Sequence, residues 1–294
     1  MHPAPSVIIF SVLSGMGFGF LAYLGVGVVQ PVGWTAFFLW GLGYGLAIAG
    51  LLAATFHLGN RKNALMAFSQ WRTSWLSREA WASVTALVTL SPVALSDWLG
   101  LGWPRGTGVV GAGLALVTVF TTSMIYAQIK AVPRWHHWIT PVMFVGFAVT
   151  GGGILAGQVW AGQVWAGLAA LALGGVLIAV WRIGDGQFAR AGVTLGSATG
   201  LGRIGDVAVF ELPHTGGNYL LREMIFVVAR KHAVKLRAIS LGLVALGPAV
   251  LVLLPGVWGI GLAAGCHLTG AFAARWLFFA EAEHVVGLYY GARG

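Results

Sequence analysis

Acidic residues are almost missing from this chain. Eight Asp and Glu stand against seventeen Lys and Arg among 294 residues, and charged residues of both signs make up only 9%. An ordinary soluble domain carries about 25%. So sparse a set cannot cover a water-facing surface, and with 58% of residues hydrophobic a soluble globular protein is excluded. Cysteine is scarcer still. The single Cys266 excludes internal disulfides, CxxC motifs and cysteine-held iron–sulfur clusters within this chain. Polar segments of any length are lacking too, apart from residues 183–236.

What is plentiful is apolar sequence, with 45 Gly and 14 Trp. Gly is frequent in membrane helices, and Trp gathers at membrane interfaces. A span needs about 20 mostly apolar residues. That template predicts an all-α, polytopic bundle of eight transmembrane helices near 6–29, 33–57, 79–97, 107–129, 139–157, 163–182, 237–254 and 256–280. The apolar stretch from Val7 to Val29 has no basic segment before it and reads as a retained first span. The chain is then one membrane domain over 1–294, with 183–236 as a docking loop.

Eight spans put both termini on one side, with the 2–3, 4–5 and 6–7 connections. Every Lys and Arg except Arg105 falls there. The positive-inside rule makes that side, and both termini, cytoplasmic. The net charge of +9 therefore reflects topology, and no nucleic-acid partner is expected. Opposite, "GQVWAGQVWAG" places Trp160 and Trp165 at an interface. "GLGRIG" (200–205) matches a dinucleotide fingerprint in letters alone, because no strand and helix flank it. Gly15–Gly19 and Gly41–Gly45 have the spacing of helix-contact pairs.

The stretch "SWLSREAW" (74–81) puts Arg78 and Glu79 at the threshold of span 3. Ser77 is the expected N-cap, with Glu79 in the first turn, where a carboxylate gains about 0.3–1 kcal/mol from the helix dipole. Arg78 can simply snorkel to the interface. Ionisable groups at membrane depth are nonetheless site candidates by default. Reducing a quinone takes two electrons and two protons, so its site needs hydrogen-bond donors and a proton relay. Glu79 can relay, His57 at the end of span 2 can donate or relay, and Arg78 can hold Glu79 ionised. Ser74 and Ser77 are further donors, while Trp71, Trp75 and Trp81 offer ring faces.

"YAQIKAVPRWHHWITP" repeats the theme in the 4–5 connection, with Tyr126, Arg134, Trp135, His136 and His137. Each of these also reads as an ordinary basic, aromatic interface residue. His267 lies mid-span beside Cys266, but no second histidine sits at its depth, so b-type haem is not expected. Glu281, Glu283 and His284 in "FFAEAEHVVG" form a weak metal motif and a good solvated helix end, so no metal is expected on this chain.

Three segments carry a resemblance. "MHPAPSVIIFSVLSGMGFGFLAYLG", "HLGNRKNALMAFSQWRTSWLSREAW" and "YAQIKAVPRWHHWITP" resemble the membrane-anchor subunit of dimethyl-sulfoxide-reductase-type molybdoenzymes. The resemblance implies a multi-pass anchor in a bacterial inner membrane, bound to an iron–sulfur subunit and through it to a molybdopterin catalytic subunit. It assigns His57 and Glu79 to the quinone site, and the residues read above add Trp75, Ser77, Arg78, Tyr126 and His136 as its expected lining. The basic, cytoplasmic placement of the motif loop departs from the periplasm-facing reductases. With "HTGGNYLLREMIFVVARKHAVKLR" it is similar instead to the sulfite dehydrogenase branch. That branch implies electrons passing from sulfite to ubiquinone or menaquinone. The alternatives are a quinol-oxidising reductase anchor, an anchor with no site of its own, and a small-solute transporter, which would favour a midplane site and internal repeats.

Overall fold

The computed structural model describes residues 3–56, 61–157, 160–211 and 232–290. Lipid offers backbone groups no partners, so apolar spans must close their hydrogen bonds internally as helices. Eight do: α1 (Pro5–Val26), α2 (Gly33–Thr55), α3 (Trp75–Leu99), α4 (Gly106–Ala127), α5 (Ile139–Ala156), α6 (Trp160–Arg190), α7 (Ala233–Leu251) and α8 (Gly256–Ala280). Among the described residues there is no strand, so "GLGRIG" has no βαβ unit around it; Leu201–Arg203 is a short 3-10 turn.

α1 is the axis of the bundle. Within its apolar window 78% of residues are buried, against 33% for α2 and 22% for α7, and it packs on α2, α4, α5 and α8. Glycine makes this close packing possible. A Cβ at Gly17 would strike the backbones of Gly43 and Ala47, and one at Gly152 would strike Gly19 and Phe20. The expected pair Gly41–Gly45 makes no such contact: both are exposed on the outer face of α2, and a Cβ at either meets nothing within 4 Å. A Cβ at Gly15 likewise meets nothing within 4 Å, although the residue is buried.

Two prolines lie inside spans beyond the first turn, and the local chain absorbs each. Pro92 deprives the Val88 carbonyl of its helical donor, and the Ser91 hydroxyl donates to it instead at 2.8 Å. Pro248 follows a π-helical stretch, Gly242–Leu246, which widens α7 where the proline ring would press on Val244.

Helix bounds shift two expectations. α3 begins at Trp75, four residues before the predicted span. α6 runs on to Arg190 and α7 starts at Ala233, so both ends of the 183–236 segment belong to helices. At the end of the bundle holding the 4–5 and 6–7 connections, Glu281 accepts from Arg134 (2.7 Å) and Arg237 (2.7 Å). Asp185 bonds the same two arginines, around a cleft of about 210 Å³. At the other end, Arg105 bonds Asp97 (2.8 Å) and the Leu24 carbonyl (3.0 Å), and Trp40 Nε1 donates to Asp97 at 3.0 Å.

Candidate functional site

The chain enters α3 through a turn in which the amides of Thr73 and Ser74 both bond the Gln70 carbonyl. Ser74, extended at φ −105° and ψ 124°, is the N-cap residue, and its side chain makes no capping bond. Ser77 is therefore not the cap. It lies one turn inside, 2% exposed, and its hydroxyl accepts from the Gln70 amide at 3.3 Å, holding the preceding turn onto the helix.

The earlier start places Glu79 past the first turn, and the packing of α3 on α4 faces it into the bundle. Its side chain is buried, the residue only 3% exposed, and it meets the Thr122 hydroxyl of α4. Thr122 Oγ1 also lies 2.9 Å from the Thr118 carbonyl. A hydroxyl carries one hydrogen. When Thr122 spends it on Thr118, the contact with Glu79 is satisfied by a proton on the carboxyl; when Thr122 turns its hydrogen to Glu79, the carboxylate is satisfied without one. The pair can thus hold or release a proton with little movement.

Arg78 does not face Glu79. Adjacent helix residues point about 100° apart. Its guanidinium bonds the carbonyls of Trp71 (3.0 Å) and Arg72 (2.7 Å) and covers the Trp75 ring at 4.3 Å. The expected role of holding Glu79 ionised is thereby corrected: Arg78 ties the loop to the helix. Trp75 also meets Phe120 of α4 edge-on, so it stands at the α3–α4 seam. Trp81 Nε1 bonds the Phe68 carbonyl at 3.0 Å, and Trp71 is exposed.

Tyr126 lies four residues after Thr122 on the same face of α4. Its ring is packed among Trp135, Phe144, Phe278 and Phe279. Arg275 escaped the sequence reading as a site residue, because it was counted only with the basic side. The available signal was an arginine inside the apolar run "AFAARWLFFA". It is 2% exposed and lies over the Phe144 ring at 3.4 Å.

The other expectations divide. His136 is not brought to this cluster: it is exposed, and its Nδ1–H donates to the Ala127 carbonyl at the end of α4 (2.6 Å). Trp135 stacks on Phe278 at 5.2 Å, and Arg134 belongs to the ion-pair network. His57 lies outside the described residues. Among the described residues no three His, Cys, Asp or Glu side chains gather as a metal site. The structure thus joins Glu79 to Thr122 between α3 and α4, with Trp75 and Ser77 at the same end of α3, and sets Tyr126 and Arg275 against one ring, that of Phe144.

A family model described as "DMSO reductase anchor subunit (DmsC)" matches residues 2–163, which include Glu79, Thr122 and Tyr126 but not Arg275. A sulfite dehydrogenase subunit of Allochromatium vinosum is 28% identical over 99% of this chain and 99% of its own length. No solved structure matches the chain.

Proposed function

The chain belongs to the DMSO reductase anchor subunit (DmsC) family, and from that premise we propose that it holds an oxidoreductase complex to the membrane and reduces quinone beside Glu79. Its partners in this reading are an iron–sulfur subunit and a molybdenum-containing catalytic subunit, docked at the basic end of the bundle, which faces the cytoplasm. The full-length similarity to a sulfite dehydrogenase subunit supports sulfite as the electron source.

The observation that carries this reading is a buried carboxyl near the start of a span, paired with a hydroxyl that has two acceptors to choose from. Quinone takes up two electrons from the iron–sulfur partner and two protons, giving quinol. Glu79 passes protons to the reacting oxygen, and Thr122 changes acceptor as the carboxyl loses and regains its proton. Tyr126 and Arg275 set the field behind them, while Trp75 and Ser77 border the approach along the α3–α4 seam. His57 would stand at the rim as a donor. A second reading, favoured by the match to a DMSO reductase anchor, runs the same parts in reverse and oxidises quinol.

The test is Glu79→Gln in the assembled complex. Sulfite-dependent quinone reduction should fall about 10²-fold or more, the range of general acid–base catalysis, while the partner subunits still co-purify. Unchanged turnover would leave this chain an anchor only.

A further inference from the structure

α8 carries two buried polar side chains, each with a nitrogen that lacks a partner. Arg275 Nη1 and His267 Nδ1 make no hydrogen bond among the described residues, although each residue is only 2% exposed. The backbone of Val244 and of Phe147 lies close to the imidazole, yet neither satisfies Nδ1. Phe144 and Phe147 offer the guanidinium ring faces at 3.4 and 5.1 Å, which attract its charge but leave its N–H groups unbonded. Buried groups of this kind are normally paired with protein or with ordered water.

Both residues line one cavity at the junction of α1, α5 and α8. Ser11 and Gly15 of α1 and Phe147 of α5 also line it. The space open to the centre of a water molecule is about 10 Å³, which is room for about one water. Ser11 Oγ donates to the Ile8 carbonyl at 3.2 Å, so its lone pairs remain able to accept. The hypothetical Cβ of Gly15 meets nothing within 4 Å, so this buried glycine opens onto free space.

We propose that this cavity is a built hydration site, in which a water molecule accepts from Arg275 Nη1 and donates to His267 Nδ1 and Ser11 Oγ. Three hydrogen bonds is the usual complement of a buried water. The site keeps Arg275 solvated as a cation inside an apolar bundle. Gly15 is then a glycine kept for volume rather than for helix contact. The inference stands independently of the quinone reading, since it concerns only how these side chains are satisfied.

Gly15→Ala separates a wet site from a dry one by the sign of its effect. Filling a dry void improves packing and raises stability. Filling a hydrated one expels the water and orphans both nitrogens. Gly45→Ala, exposed and equally free of contacts, measures the helix-propensity gain alone. In the intact complex, the expected result is a thermal midpoint for Gly15→Ala several degrees below that of Gly45→Ala. An equal or higher midpoint would overturn the proposal. Should Gly15→Ala fail to accumulate, a cryo-EM map of the unmodified complex that resolves ordered water decides. A water-sized density between Arg275, His267 and Ser11 supports the site; a cavity without density, or one filled by a lipid chain, refutes it.

Discussion

Thr122 of α4 meets Glu79 of α3 in the interior of the bundle, and the same hydroxyl reaches back to the carbonyl of Thr118. A carboxyl removed from water is stable only with a partner. Thr122→Val keeps the shape and removes the hydroxyl. It should lower the stability of the complex by about 1–3 kcal/mol, the range for an orphaned buried group. Quinone turnover should also drop, though less than in Glu79→Gln. Thr122→Ser should restore both. Thermal unfolding and turnover measured on the same preparations check this.

Glu281 is the better buried of the two carboxylates in the ionic network. Its side chain is 5% exposed, against 49% for Asp185. Removing a carboxylate from a buried pair strands its cations. Glu281→Ala should therefore destabilise by about 3 kcal/mol, at the lower end of the range for broken buried pairs. Asp185→Asn should change stability by about 1 kcal/mol or less, as exposed pairs do. Equal effects of the two variants would show that burial does not set the strength of this network.

Two glycines predict opposite tolerance. Gly152→Ala forces a methyl into the backbone of Gly19 and Phe20 and should sharply lower the yield of assembled complex. Gly41→Ala points into open space and should assemble at the normal level. Membrane-fraction yields, quantified by immunoblot, distinguish them.

His137 lies in the 4–5 connection, outside the spans. Burial first, then the charge of Arg190 and then that of His136, hold its imidazole below the ordinary histidine range. Its Nδ1 accepts from the Ile139 amide at 3.2 Å, which the neutral ring alone can do. On acidification the unfolded chain takes this proton before the folded one, so the contribution of His137 is full above the ordinary value of about 6.5 and declines as pH falls below it. His137→Gln should flatten the pH dependence of the thermal midpoint in that window. An unaltered slope would assign the dependence to other groups.

Much of this was legible in one dimension. Runs of about 20 apolar residues must be helices in lipid, and charges avoid the membrane core, so eight spans and the clustering of basic residues at one side follow from hydropathy alone. Glu79 could be singled out for the same reason, as a carboxyl placed where carboxyls are costly. Azimuth was not legible. These helices are apolar on nearly every face, so periodicity does not say which side looks inward, and rotation is set by packing against neighbours. Only the tertiary structure could show that α3 starts at Trp75, and that its packing on α4 faces Glu79 toward Thr122 while Arg78 bonds the preceding loop. Only packing could separate Gly19, pressed against Ala148, from Gly15, which opens onto free space with the same spacing rule behind it. Arg275 and His267 lie eight residues apart on α8, and they border one cavity because α1 and α5 close around them. Composition determines that polar groups inside such a chain need partners; the contact between helices decides which partners they find.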